Sequence, residues 1–338
     1  MLYYNKLLYY NIFMINRIQT YILALLFGFI SLISSANADV KVVTSIKPIH
    51  SLVSYIMDGI GKPDVIVDGF NSPHNFSLKP SHAKMLQNAD LVIWIGEDLE
   101  NFLEKPLNTI AKKAKNIEIM DLKGIKKFAF REKNIFDEHD DHKEHDDHKE
   151  HDDHKEHDDH KEHDDHKGHN HGEHDPHLWL DPMNAKVIVK EITKELIKLD
   201  SSNSSIYKSN SNKALAELDK LIKDIKNDLN KDLRFVVFHD AYQYFENRFG
   251  IQVLGALTIN PDVKPGAEQL SEIREIIEHE KVNCLLSEPQ FNPAIIKSIA
   301  KDVKIKTGIL DPLGAKLDKG KDLYFNLLKN MSTSFKGC

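Results

Sequence analysis

At 338 residues the chain is long enough for two domains, and it carries a formal charge of −7 with 19 histidines and two cysteines. The charge is concentrated: residues 139–166 hold ten Asp and four Glu against four Lys, a net −10, so the remainder sums to +3. No basic face indicates a nucleic acid, and no basic patch indicates an anionic membrane surface.

The N-terminus reads as a secretory signal over residues 1–38. Arg17 supplies the positive region, and Tyr21–Ile33 is an apolar run of thirteen residues, too short to span a bilayer comfortably. Ala36-Asn37-Ala38 forms an A-x-A cleavage site, which starts the mature chain at Asp39. Met14 alone would begin a well-proportioned signal and is the expected start. No cysteine adjoins the cleavage site, so no lipid anchor is expected. The expectation is an exported, periplasmic, monomeric protein.

From Val40 onward, short β-branched runs alternate with helical stretches. Strands are expected at 40–44, 64–68, 91–96 and 117–121. Helices are expected between them, at 48–57, about 81–88 with Ser81 as N-cap, and 99–115. Two helices then follow, 184–199 and about 204–229, the second with an apolar stripe through Leu215, Leu218, Leu221, Ile222, Ile225 and Leu229. The strand–helix pattern restarts with strands at 234–238, 251–255, 283–287 and 303–309. Helices are expected at 242–249, 267–280, 293–301 and 321–331. This is an α/β chain of two lobes, each a mainly parallel sheet flanked by helices, joined by a long rigid linker helix. The expected boundaries are 39–181 for the first lobe, 182–229 for the helical connection and 230–338 for the second lobe.

An insertion at 137–176 interrupts the first lobe. Within it HDDHKE repeats with a histidine at every third position from His139 to His166. The thirteen histidines are His139, His142, His145, His148, His151, His154, His157, His160, His163, His166, His169, His171 and His174. No apolar residue lies between His139 and His174, so the stretch cannot build a core and is expected to be disordered. Imidazoles interleaved with carboxylates make it an auxiliary, low-affinity metal collector. A solvated polar linker is the plainer reading, but a linker has no need of so many histidines.

Ligand sites in open α/β sheets lie outside the carboxyl ends of the strands. Four metal-type residues occupy such places: His74 after the second strand, His177 at the end of the long loop, His239 directly after RFVVF, and Asp311 after the last strand. Three imidazoles and a carboxylate make a tetrahedral zinc site if the four converge. Taken singly, each is more often a satisfied surface or core residue, and the case rests on all four occupying equivalent loop positions. His50, His82 and His279 read as structural or solvated, and Trp94 and Trp179 as core, with Trp179 placed to pack behind His177. An even number of cysteines in an exported chain favours a disulfide between Cys284 and Cys338, with a cysteine-containing metal site as the competing reading. No HExxH, GxGxxG, Walker A or G-x-S-x-G motif is present.

The motifs TSIKPIHSLV, SPHNFSLKPS, ADLVIWIGEDLE, HLWLDP, VFHDAYQYFENRFG, SEPQFNP and LDPLG, in that order, resemble the periplasmic zinc-binding proteins of high-affinity zinc-uptake ABC transporters. The resemblance covers the mature chain except the tract, and members of that family carry a charged, His-rich insertion at the same place. It implies a two-lobed binding protein, not an enzyme, that captures Zn2+ and delivers it to an inner-membrane ABC permease. It maps ligands onto His74, His177 and His239, and it likens the cysteine pair to a disulfide of some zinc members. Pro73 stands where some members have a glutamate, so the fourth place falls to Asp311 or to a water. Manganese relatives have a carboxylate in the place of His239, and three imidazoles favour zinc over manganese. A zinc hydrolase and a metal-sequestering protein are the readings from other classes.

Overall fold

The computed structural model describes residues 14, 40–131, 133–136, 173–261 and 263–338. The expected signal and its cleavage site (Met14 apart), and the tract histidines from His139 to His171, lie outside the described residues. β1 (Val42–Ile46), β2 (Asp64–Val67), β3 (Leu91–Trp94) and β4 (Lys115–Glu118) form a parallel sheet in the order β2-β1-β3-β4. β5 (Arg234–His239), β6 (Gln252–Thr258), β7 (Cys284–Ser287) and β8 (Lys306–Ile309) repeat that order as β6-β5-β7-β8, again parallel. The sequence reading of an α/β chain with two parallel sheets is the observed architecture.

The helices are α1 (Lys47–Ile56), α2 (Pro80–Asn88) and α3 (Glu97–Thr109) around the first sheet. α4 (Pro182–Leu199) and α5 (Ser204–Asp228) follow. α6 (Gln243–Phe249), α7 (Ala267–His279), α8 (Ala294–Val303) and α9 (Leu323–Lys336) complete the chain. α5 has 25 residues, and at the usual rise that is about 37 Å.

Several boundaries differ from expectation, three of them for evident local reasons. α2 starts at Pro80 rather than after Ser81, because proline presets the first helical turn and Lys79 takes the cap position. The ring of His82 accepts the Lys79 amide at 3.2 Å, which gives that histidine its structural role. α3 stops at Thr109: Pro106 removes a helical hydrogen bond, and Lys115 is taken into the ladder with Leu91. α9 runs on to Lys336, burying Phe335 against Phe235 and Phe245.

Alternation along β5 explains the layering. Phe235 and Val237 face one core, continuous with the first sheet, α1, α4, α5 and α9. Val236 and Phe238 face a second cluster under α7 and α8. Lys47 ties α1 to the loop after β8, its buried ammonium donating to the carbonyls of Gly314 at 2.7 Å and Leu317 at 2.7 Å.

Residues 126–131 and 133–136 form a strap from the first sheet to the edge of the second. Phe136 donates its amide to Leu254 O at 2.9 Å, and Ala256 donates to Asn134 O at 2.8 Å. The strap passes so close to β6 that a Cβ at Gly255 would lie 2.7 Å from Asn134 O, so glycine is required there.

Cys284, at the start of β7, and Cys338 are joined in a disulfide with a Cα–Cα distance of 5.6 Å. The bond closes a loop with a sequence separation of 54. Cys338→Ser is expected to lower unfolding stability by up to about 4 kcal/mol through the unfolded chain's regained entropy. Urea titration of the purified variant beside the parent checks this, and equal midpoints would refute it.

Candidate metal site

Three histidines meet outside the ends of the strands. His74 stands in the loop after β2, His177 precedes a short 3-10 turn over Leu178–Leu180, and His239 is the last residue of β5. One ring nitrogen from each lies within 4.8 Å of the other two. His74 Nε2 and His177 Nε2 are 3.3 Å apart. Two nitrogens bound to one tetrahedral zinc at its usual bond length lie about 3.3 Å apart. That spacing is the edge of a zinc tetrahedron.

A carboxylate stands behind each of the two buried rings. Asp175 Oδ1 is 2.7 Å from His177 Nδ1 and also accepts the His177 amide at 2.9 Å. Glu288 Oε1 is 3.3 Å from His239 Nδ1, within ion-pair range. The Asp175 contact holds His177 Nδ1 and turns its Nε2 toward His74, the usual outer-shell arrangement at metal sites, while Glu288 faces His239 through charge. Asp175 and Glu288 are each 3% exposed. Two buried carboxylates beside three imidazoles make a donor set whose negative charge a divalent cation balances.

Burial, followed by the charge of His239, pulls the His177 imidazole well below its ordinary value, so it is neutral and ready to bind a metal. Burial also lowers His239, but Glu288 outweighs it by charge and hydrogen bonding, and the net shift is upward. Burial lifts Asp175 to about 6 against the His177 amide and Arg131, which oppose it. Trp179 packs on His177 with ring centroids 5.3 Å apart, and its indole N–H donates to Pro312 O at 2.9 Å. The cavity among these rings is about 10 Å³. Such a space holds one water or one bare ion.

Asp311 is not brought into this group. Its Oδ1 accepts from the amides of Leu313 and Gly314 and from Gln290, and its Oδ2 accepts the Ala315 amide at 2.6 Å. The carboxylate folds the loop that lines the cavity with Pro312 and Leu313 instead of facing the imidazoles. His174 pairs by its backbone with Ala129 at the neck of the insertion. His50 Nε2 meets Pro63 O at 3.1 Å.

The strap carries a feature that the linear pattern hid. Arg131 pairs with Asp240 Oδ1 at 2.9 Å and with Glu246 Oε2 at 2.7 Å, both carboxylates being buried. Tyr244 donates from its hydroxyl to Asp175 O at 2.7 Å. Asp175 lies only two residues before His177, and that spacing was the one available sign of its role.

Over residues 42–338 the sequence matches the model of a family described as the periplasmic component A of zinc-uptake complexes. The chain belongs to that family. It is 45% identical over 311 residues to the high-affinity zinc uptake system protein ZnuA of Brucella abortus, covering 90% of this chain and 93% of that protein. It is 42% identical over 325 residues to the protein of the same name from Haemophilus influenzae, with 90% and 93% covered. A crystal structure of ZnuA shares the fold, with a TM-score of 0.67 and 21% identity over 87% of this chain and 98% of that one. Membership makes this chain a periplasmic solute-binding component of a transport system and not an enzyme. The recognition read from the seven motifs is thereby borne out.

Glu288→Gln is expected to weaken metal binding by about 10–100-fold while leaving the fold intact, the cost of losing an outer-shell carboxylate. Competition against a chelator of known affinity measures it. An unchanged affinity would remove Glu288 from the site.

Proposed function

We propose that this zinc-uptake component captures one Zn2+ through His74, His177 and His239 in the cleft between its two lobes, residues 39–181 and 230–338. It then delivers the ion to an inner-membrane ABC permease. The observation that carries this reading is the His74–His177 nitrogen separation of 3.3 Å, with a buried carboxylate beside Nδ1 of His177 and another beside Nδ1 of His239. A bound water takes the fourth position, because the oxygens of Asp311 are engaged by backbone amides. Three imidazoles with outer carboxylates suit zinc better than manganese. The His-rich insertion, 137–176, gathers additional zinc at lower affinity and raises its supply beside His177.

Competitive zinc titration of residues 39–338, with and without 137–172, tests the division of labour. The expected result is one tight zinc in both proteins and further weak sites only in the complete one. A shortened protein without a tight site would make the insertion the functional centre and would favour a sequestering role.

A further inference from the structure

β4 is an edge strand, and among the described residues nothing pairs with its side away from β3. Its ladder to β3 includes the amide of Lys115, donating to Asp90 O, and continues with the amide of Ile119, donating to Trp94 O. The two-residue repeat of a strand therefore points the amides of Asn116 and Glu118 outward. A groove of about 460 Å³ follows this edge, lined by all four β4 residues and by residues of α3 and α4. α3 packs with α2, whereas α4 packs with α1 and α5, so the two helices belong to opposite layers. A space bounded by both lies off the edge of the sheet, where a further strand would go.

The lining is acidic. Glu97, Glu104, Glu118, Asp121, Glu191 and Glu195 face one amine, that of Lys115. Glu191 and Glu195 pair with Lys194 and Lys198 of their own helix. The other four carboxylates have no ion-pair partner among the described residues. Burial, followed by the charges of Asp121, Glu97 and Asp98, pushes the Glu118 carboxyl up to about 7 against the opposing charge of Lys127, so the acids here outnumber their countercharges. Open edges are ordinarily blunted by lysine, proline or a bulge, and here Lys115 is the sole such device on the strand.

We propose that the β4 edge is a docking groove for an extended segment of a partner protein bearing lysine or arginine, added to the first sheet as a fifth strand. Backbone hydrogen bonds to Asn116 and Glu118 would supply affinity, and the carboxylates of both helical layers would select cationic side chains. Charge argues against the other occupants. A second copy pairing through its own β4 would bring the same acids face to face, and the His-rich tract carries −10 over residues 139–166. The groove shares no lining residue with the histidine site, so this inference stands or falls apart from zinc capture.

The test uses the zinc-loaded mature chain and a ten-residue peptide of alternating lysine and valine, with a glutamate–valine peptide of the same length as control. Amide hydrogen exchange is followed at Asn116 and Glu118. The lysine peptide is expected to slow both amides about tenfold or more at saturation, and the glutamate peptide to leave them unchanged. The double variant Glu97→Lys, Asp121→Lys, two exposed positions, is expected to lose the protection while keeping its zinc affinity. Unchanged exchange with the lysine peptide would overturn the proposal. So would equal protection by the glutamate peptide, or protection that survives in the double variant.

Discussion

His239→Ala is expected to abolish tight zinc binding, lowering affinity by about 10³-fold or more, well beyond the effect of an outer-shell substitution. In free energy that is about 4 kcal/mol. The size follows from what the ring does: it closes the donor set from the second sheet, and its loss leaves only the imidazoles of His74 and His177. It also leaves Glu288, 3% exposed, without the ring it faces. Isothermal titration with zinc, in competition with a strong chelator, reads the change. A variant that keeps the parent's affinity would place the tight site elsewhere.

Arg131→Ala is expected to destabilise the fold by about 3 kcal/mol, the typical result of removing one partner from a buried ion pair. Asp240 and Glu246 are 6% and 7% exposed, and without the guanidinium each either carries an uncompensated buried charge or takes up a proton. The effect has a pH signature. Burial raises Glu246 to about 7 even with Arg131 opposing it, so protonation favours the folded state as pH falls through that value. Removing the guanidinium raises it further, so the deficit of the variant is expected to narrow as pH falls from about 9 to about 7 and to level off below that. Urea denaturation across that range checks the sign, and a deficit that grows on acidification would contradict it. The strap should loosen with it, seen as faster exchange of the Phe136 and Ala256 amides.

Both sheets were legible because their strands are short apolar runs punctuated by helices, a pattern that repeats twice along the chain. The histidines were legible because each follows a strand, where loops converge on the open end of a parallel sheet. Asp311 satisfied the same positional rule and still went elsewhere. Its lone pairs are taken by three consecutive backbone amides, a turn geometry that no spacing of residue types announces. Arg131 was invisible for a related reason. Its partners lie 109 and 115 residues away, and the strap brings them together through its bridge to Gly255 and its contacts with Tyr244 and Asn247. Trp179 behaved as expected, packing on His177 from a fully buried position. The disulfide was legible from the cysteine count and the exported character of the chain, since both cysteines had a single possible mate.

The most direct test of the proposed site is zinc X-ray absorption on the protein lacking residues 137–172 and loaded with one zinc per chain. The predicted shell is three imidazoles and one light oxygen donor, at about 2.0–2.1 Å. A shell with fewer than three imidazoles, or one containing sulfur, would contradict zinc capture by His74, His177 and His239.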